Sequence, residues 1–470
     1  MYGTIILNNT IEDSISLLGK YKDSLDQSGN IFVLVRNEVD AIGDITYDFL
    51  DVIDAATSIG YLYVNTIVVP TEDVVNADLP DNVLYIIWLA KDKDHFFNKD
   101  VIRENHIWKD VEWGKRTKNY NPKGKDPGNV WIPTRDDGKA HITEHILLSL
   151  SDVVNRLHSC SVQQELDTLY VTSKRIDKLS LIDCIRIEQL SNTNITTESK
   201  PYRPIQPRIV QQKQVTGTVL FGTSEKMDKI PNGSVNVVIT SPPYWDLKDY
   251  FKEGQIGQES YQTYLNRLYN VWKGCYDKLT EDGSLWLNIN IRTKNGKVIL
   301  IPRDFMQQCK KIGFHYKGVL IWHKSSGIPT HNKNIVDRHE YVLVFSKSEK
   351  LNINSRICQF DDYKNNCING GLFWNINRKA GSVGKQFIHP AIYPNSLVSR
   401  IVQITTSEND MVLDPFLGSG TTLIASVLEG RNCIGYEYNE GFKELISSRY
   451  TSEVNKGNIS FIESKIKPME

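Results

Sequence analysis

Residues 235–245 read VNVVITSPPYW, a largely apolar run that stops abruptly at two consecutive prolines. Proline lacks the backbone N–H that a sheet ladder requires and has a fixed φ, so the predicted strand must end at Thr240. Beyond it stand the hydroxyl of Ser241 and the rings of Tyr244 and Trp245. We interpret this stretch as a rigid corner at the rim of a sheet, suited to gripping a flat ring that carries an exocyclic amine.

A second landmark lies at residues 412–422, VLDPFLGSGTT. It predicts a buried strand, a glycine-rich turn and a helix that starts with hydroxyl side chains. Glycines tolerate positive φ and let the backbone approach a ligand closely. The next predicted strand ends in Glu437. In dinucleotide-binding folds an acid at this place binds ribose hydroxyls, so the stretch indicates a nucleoside site.

Strand-like and helix-like segments alternate around these landmarks. The patterns predict strands at 235–240, 284–291, 319–322, 341–345, 411–414 and 433–437, and helices at 261–279, 303–312, 394–404 and 421–428. Such alternation is typical of an α/β fold, in which a mainly parallel sheet is covered by helices on both faces.

SPPYW followed much later by DPFLGSGTT resembles the amino-group DNA methyltransferases, in the motif order of their circularly arranged β class. Supporting signatures are IWHK (321–324), RHEYVLVFSK (338–347) and HPAIYPNSLVSRIV (389–402), in which Tyr393 replaces the usual Phe. The resemblance covers residues about 216–450. It implies a Rossmann-like methyltransferase fold, S-adenosylmethionine as cofactor and double-stranded DNA as substrate.

The resemblance also assigns roles to residues. The Ser241 side chain and the Pro242 carbonyl would accept hydrogen bonds from the amine of a flipped base, on which Tyr244 would stack. The catalytic residues that it implies are Ser241, Pro242, Pro243 and Tyr244. The cofactor-binding residues that it implies are Asp414, Phe416, Gly418, Gly420, Thr421 and Glu437.

The target base is the next question. A serine at the first motif position is commoner among the cytosine-N4 enzymes of this family, and an aspartate among the adenine-N6 enzymes. Ser241 therefore favours cytosine N4, with adenine N6 as the alternative. A further alternative is a non-catalytic DNA-binding protein that retains the fold. The two intact motifs argue against it.

Contacts to DNA must come from local basic patches, because the formal net charge is only −1. Two regions, 115–125 and 324–388, combine basic and aromatic or amide residues. The candidate nucleic-acid contacts are Trp245, Lys115, Arg116, Lys118, Lys324, Lys333, Arg338, Arg378 and Lys379.

Composition narrows the protein class further. The seven cysteines form no CxxC pair, which argues against a zinc module or a disulfide framework, and we expect no metal. No apolar run approaches the ~18 residues of a membrane span, and the N-terminus lacks the basic start of a signal peptide. We therefore expect a cytoplasmic protein of reduced thiols.

The chain of 470 residues has room for more than one domain. A proline-containing polar stretch, 191–213, predicts a linker between residues 1–190 and a catalytic domain at 214–470 with a target-recognition insert at about 325–388. Matches such as YIIWLAK (85–91) with YVLVFSK (341–347), in the same order along the chain, indicate that the fold is present twice. The first copy lacks both motifs, so we interpret it as a degenerate, catalytically inactive methyltransferase-like domain that helps hold DNA. The alternative interpretation of residues 1–190 is an unrelated α/β domain. Whether a cognate restriction endonuclease accompanies the protein, and whether the protein is a monomer or a homodimer, stay open.

Overall fold

The computed structural model describes two α/β units. The residues that it describes are 1–75, 79–103, 123, 126–131, 134–136, 143–145, 148, 150–161, 167–172, 176–179, 215–247, 252–324, 334–354, 371–376, 393–454 and 458–463. The predicted linker at 191–213 lies outside them. No helix among them is both long enough and apolar enough to cross a membrane.

The N-terminal unit is built on a six-stranded sheet with the order β10-β9-β1-β2-β6-β5. Its strands are β1 (Tyr2–Asn8), β2 (Leu25–Val35), β5 (Leu62–Val75), β6 (Asp81–Ala90), β9 (Asp167–Thr172) and β10 (Ile176–Leu179). Two small hairpins accompany it, β3–β4 (Glu38–Val39 and Ile45–Tyr47) and β7–β8 (Thr134–Asp136 and Thr143–His145). Its helices are α1 (Ile11–Tyr21), α2 (Phe49–Ser58) and α3 (Leu150–Ser161).

The C-terminal unit contains a nine-stranded sheet over its described residues, in the order β18-β16-β17-β13-β12-β19-β20-β11-β21. Its strands are β11 (Thr216–Phe221), β12 (Val235–Thr240), β13 (Leu279–Ile289), β16 (His315–His323), β17 (His339–Ser346), β18 (Phe373–Asn375), β19 (Met411–Asp414), β20 (Asn432–Glu437) and β21 (Asn458–Glu463). A separate hairpin, β14–β15, spans Arg292–Lys294 and Lys297–Ile299. Six neighbouring pairs are parallel and two antiparallel, so the mainly parallel sheet is confirmed.

Helices cover both faces of this sheet, as predicted. They are α4 (Tyr261–Lys278), α5 (Ile301–Ile312), α6 (Asn395–Thr405), α7 (Thr421–Leu428) and α8 (Lys443–Glu453). Because successive strand residues point to opposite faces, Val238 packs in the cluster with α4 and α5, whereas Val237 and Ile239 pack in the cluster with α6, α7 and α8. Strand β13 begins at Leu279, five positions before the predicted start at 284, because its first residues pair with Val235 ahead of a register shift.

Five strands of the two sheets correspond in order and direction. In the N-terminal unit β9, β1 and β2 are parallel, β6 runs antiparallel to β2, and β5 antiparallel to β6. In the C-terminal unit β19, β12, β13, β17 and β16 repeat this arrangement. Local contacts repeat as well: Lys91 Nζ donates to the Leu25 carbonyl at 2.6 Å, and Lys347 Nζ to the Leu279 carbonyl at 2.9 Å.

The two units contact each other reciprocally. The Asn129 N–H donates to the Val336 carbonyl at 2.9 Å, and the Leu372 N–H donates to the Pro80 carbonyl at 3.1 Å. Asn129 and Leu372 follow the matching glycines of GNVW (128–131) and GLFW (371–374), and Pro80 and Val336 precede the matching strands β6 and β17. Each unit therefore gives the other the same kind of contact, as two subunits do across a two-fold axis.

The units differ where the two sequence landmarks lie. In the N-terminal unit β1 ends at Asn8 and α1 begins at Ile11, whereas twenty residues separate Thr240 from Tyr261 in the C-terminal unit. After β9 the next described strand, β10, is antiparallel to it, whereas β19 is followed by a glycine turn, a helix and the parallel β20. Neither landmark has a counterpart in the described N-terminal residues.

Candidate active site

The first wall of the candidate site is the corner after β12. This strand lies between β13 and β19, and the ladder ends at Thr240 because prolines follow. Ser241 and Pro243 are half-buried and Pro242 is buried. The Tyr264 hydroxyl donates to the Pro243 carbonyl at 2.7 Å, which fixes the corner against helix α4.

The second wall is the glycine turn between β19 and α7. Gly418 and Gly420 have φ of 56° and 84°, in the left-handed region that side chains disfavour. A Cβ on Gly420 would also stand 3.2 Å from Ile446 Cγ2. The turn therefore requires glycine at both positions.

Glu437, at the end of β20, faces this turn. Its Oε2 accepts from the Gly418 N–H at 2.8 Å and its Oε1 from the Asn439 N–H at 2.7 Å. The residue is only 8% exposed, and burial raises the pKa of its carboxyl to about 7. Each oxygen uses one acceptor position on the backbone and retains another for a hydroxyl donor.

Asp414 joins the two walls. Its Oδ1 accepts from the Thr240 hydroxyl at 2.7 Å and the Phe416 N–H at 3.0 Å. Its Oδ2 accepts from the Thr422 hydroxyl at 2.6 Å and the Tyr393 hydroxyl at 3.1 Å. The side chain is fully buried, and burial raises the pKa of its carboxyl above the ordinary value. One carboxylate therefore fixes the corner, the glycine turn and the start of α7 relative to one another.

A cleft of about 920 Å³, its open mouth included, lies between the two walls. Six of the sequence-predicted residues line it: Ser241, Pro243, Phe416, Gly418, Thr421 and Glu437. Asp414 and Gly420 lie behind the lining and hold the turn, and Pro242 and Tyr244 lie outside the cleft wall.

Several cleft residues are not among the site residues predicted from the sequence. The loop after β11 contributes Gly222, Thr223 and Ser224, and Arg267 of α4 lies beside them. Arg267 is held by an ion pair with Glu225 at 2.7 Å. Residues 222–224 directly follow a strand, and this position could have indicated a binding loop. Arg267 lies in a helix, and the apolar periodicity of that helix gives no information about a polar residue in the site.

Tyr393 is the one departure from the family pattern noted above, and its hydroxyl has a partner on each side. It lies 3.1 Å from Asp414 Oδ2 and 2.5 Å from the Thr422 hydroxyl. The usual Phe has no hydroxyl for either contact. The extra hydroxyl thus belongs to the network that fixes the glycine turn.

Tyr244 and Trp245 leave the corner in different directions. The Tyr244 hydroxyl donates to Glu340 Oε2 at 3.1 Å, and Asn288 Nδ2 donates to the same oxygen at 2.9 Å. Trp245 Nε1 donates to the Glu259 carbonyl at 2.9 Å, and its ring contacts that of Tyr261. Stacking of Tyr244 on a base stays a prediction, whereas the indole of Trp245 is engaged in packing the corner.

Two of the candidate nucleic-acid contacts are buried. Lys324 is 7% exposed and pairs with Glu340. Arg338 is also 7% exposed, and its Nη2 donates to the Asp126 carbonyl at 2.7 Å, between the two units. The alternation of side chains along a strand does not show, from sequence alone, which of the basic residues in this segment point into the protein. Both side chains are held by contacts within the chain, and their role as nucleic-acid contacts stays a prediction.

The other basic candidates lie outside the described residues. They are Lys115, Arg116, Lys118, Lys333, Arg378 and Lys379. Within the predicted recognition insert, residues 339–346 and 373–375 form β17 and β18 of the main sheet. Any target-reading part of that insert must therefore come from its other residues.

Comparisons with known proteins agree on the C-terminal unit. The family model for DNA methylases matches residues 235–448. The chain is 29% identical over 275 residues to the type II methyltransferase M.Cfr9I of Citrobacter freundii, covering 51% of this chain and 90% of that protein. It is 31% identical over 254 residues to the type II methyltransferase M.XycI of Xanthomonas campestris pv. cyanopsidis, covering 47% and 83%. A DNA modification methylase of Thermus thermophilus, TTHA0409, solved with S-adenosyl-L-methionine, aligns at 25% identity with a TM-score of 0.40, over 52% of this chain and 99% of that one.

Proposed function

The chain belongs to the amino-group DNA methyltransferases, and from that premise we propose that it methylates the N4 amine of a flipped cytosine in double-stranded DNA at a specific sequence. S-adenosylmethionine is the methyl donor. The observation that carries the proposal is the cleft in which Ser241 faces the glycine turn, with both walls fixed by Asp414. Adenine N6 is the alternative target, and the neutral Ser241 acceptor supports cytosine.

The cleft fits the proposed cofactor. Its lining combines the Glu437 carboxylate with the glycine turn, and the positive φ of Gly418 and Gly420 lets a nucleoside with an amino-acid tail approach the backbone. We propose that Glu437 accepts hydrogen bonds from the ribose hydroxyls with its remaining lone pairs. When bound, S-adenosylmethionine would supply an electrophilic methyl group for transfer to the amine nitrogen.

The protein's own contribution is to position and polarise the amine. Its lone pair is delocalised into the ring, so the free amine is a poor nucleophile. Hydrogen bonds accepted by the Ser241 hydroxyl and the Pro242 carbonyl would draw the amine out of the ring plane and hold it facing the cleft. Because the corner and the turn are fixed before substrate arrives, this alignment would contribute much of the rate.

Nucleoside analysis tests the target base. We expect DNA from methylation-deficient cells that express this chain to contain N4-methylcytosine, measured by mass spectrometry after digestion. N6-methyladenine in its place would support the alternative. A titration with S-adenosylmethionine separates both from a non-catalytic binder, because a chain that binds no cofactor and leaves DNA unmodified contradicts the proposal.

We propose further that residues 1–190 are a degenerate copy of the catalytic unit and take the place of a second subunit. The matching strand order and the reciprocal Asn129–Val336 and Leu372–Pro80 hydrogen bonds support this. The shared core supports it too, since Phe49 packs on Tyr85 at 4.4 Å and on Tyr341, the residue that matches Tyr85, at 5.1 Å.

A built-in partner has a measurable consequence. We expect the full chain to be a monomer by light scattering and to bind one S-adenosylmethionine per chain by calorimetry, because the first copy lacks both landmarks. Two cofactors per chain would show that the first copy is intact in function. A stable homodimer would show that residues 1–190 do not replace a partner.

The state of the cysteines bears on the proposed cellular compartment. Cys160, Cys275, Cys309 and Cys433 are free and buried, which supports a reducing cytoplasm. A cognate restriction endonuclease is the proposed partner in function, from whose cleavage methylation would protect the host DNA.

A further inference from the structure

The hairpin β14–β15 is a rigid projection beside the catalytic corner. Its turn consists of Asn295 and Gly296, with φ of 51° and 74°. Positive φ at both central residues is the type I′ turn, whose twist matches a two-stranded ribbon. Thr293 and residues 295–297 are exposed. The tip therefore adds nothing to the core, although it is held in a defined shape.

The base of the hairpin is fastened to the corner itself. Arg292 Nη1 donates to the Tyr244 carbonyl at 3.3 Å and pairs with Asp246. Lys294 also pairs with Asp246, and its Nζ lies 4.3 Å from the centre of the Trp245 ring. The base of the hairpin is thus joined to the residues that follow Ser241.

The charge of this hairpin is unbalanced. Arg292 and Lys294 share one carboxylate, that of Asp246. Lys297 is exposed and has no acidic partner in the part of the chain that the structure describes. A cationic surface therefore lies close to the proposed catalytic serine, in a chain whose net charge is −1.

The N-terminal unit has a hairpin at the same place in its strand order, with the opposite charge and a visible partner. Asp44, in the turn of β3–β4, accepts from His315 Nδ1 at 2.7 Å and pairs with Lys317 at 2.7 Å. Lys317 Nζ also donates to the Ile42 carbonyl at 3.0 Å. In the first unit this hairpin is an acidic arm that docks on a basic site.

We propose that the basic hairpin, Arg292–Ile299, is a DNA-contacting arm that binds backbone phosphates beside the flipped base, with Lys297 as its free cation. The acidic hairpin contacts cations within the chain, whereas the basic one has an exposed tip and a base bound to the catalytic corner, where a polyanionic substrate would be held. Phosphate contacts fix the register of a protein on the duplex. The proposal rests on the proposed function, because only a DNA substrate brings phosphates to this rim.

The test is Lys297→Glu in the full chain, with Lys297→Arg as the conservative variant. Binding to a fluorescein-labelled DNA duplex is measured by anisotropy over a salt series. We expect Lys297→Glu to raise Kd about tenfold and to lower the magnitude of the salt slope by about one, as the loss of one phosphate contact does. Lys297→Arg should bind as the wild type does.

The matched control is Lys350→Glu, an exposed charge reversal after β17, at the end of the sheet opposite the corner. It should leave Kd and slope unchanged. Equal effects of Lys297→Glu and Lys350→Glu, or none from Lys297→Glu, overturn the assignment of the arm. Methyl transfer is assayed in parallel. If the wild-type chain binds DNA through Lys297 but transfers no methyl group, the proposed function is rejected, whereas the assignment of the hairpin as a DNA-contacting arm is kept.

Discussion

Replacing Ser241 with alanine is expected to lower kcat for methyl transfer by about 10²–10³-fold, the usual loss when one transition-state hydrogen bond is removed. The side chain lines the cleft, and its neighbour Thr240 is tied to Asp414, so the missing hydroxyl should leave the corner in place. Affinity for S-adenosylmethionine should change little, because Glu437 and the glycine turn are untouched. Single-turnover transfer of a labelled methyl group and cofactor calorimetry measure the two quantities.

Two further variants make this expectation specific. Ser241→Asp keeps an acceptor at the same place and should retain more activity than Ser241→Ala. Ser448→Ala removes an exposed hydroxyl on α8 and should match the wild type. A wild-type kcat in Ser241→Ala contradicts the role of the hydroxyl as acceptor, whereas a parallel loss of cofactor binding would make the residue part of the cofactor site.

The catalytic unit could be predicted well from sequence because its signals are local. Strands β12 and β19 and helix α7 have the predicted bounds, since Pro242 and the glycines at 418 and 420 impose their conformations on the backbone. The closeness of corner and turn also follows from local facts, because carboxyl ends of adjacent parallel strands share one edge of a sheet.

The inward direction of particular side chains could not be predicted in the same way. Lys324 and Arg338 have the composition of a basic patch, yet their ion pair and hydrogen bond are with Glu340 and Asp126, and Asp126 lies more than two hundred positions away. Likewise, a tyrosine at 393 looks like a neutral variation until its hydroxyl is seen beside Asp414. Such contacts depend on the packing of segments that are distant in the chain. The periodicity of apolar residues in one sequence carries no information about that packing.

Replacing Asp414 with alanine is expected to have the largest effect on the fold of the site. Four groups would lose their acceptor: the hydroxyls of Thr240, Tyr393 and Thr422 and the Phe416 N–H. Each buried donor left without an acceptor costs about 1–3 kcal/mol, so the free energy of unfolding should fall by several kcal/mol. Because the corner and the turn would no longer be fixed to each other, methyl transfer should fall by at least about 10²-fold. Chemical denaturation and single-turnover kinetics measure both losses.

Asp414→Asn and Tyr393→Phe distinguish the way in which Asp414 acts. In Asp414→Asn the amide oxygen can still accept from Thr240 and Phe416, while Tyr393 can turn its hydroxyl to Thr422, 2.5 Å away. If Asp414 is a positioning residue, Asn should keep the affinity for S-adenosylmethionine and Ala should lose it, and Tyr393→Phe should cost only about 1 kcal/mol of stability. If the carboxylate binds the cofactor directly, as the family resemblance implies, a folded Asp414→Asn protein should lose affinity as severely as Ala does. The four short contacts on a fully buried carboxylate leave it no face toward the cleft, so we expect the first result.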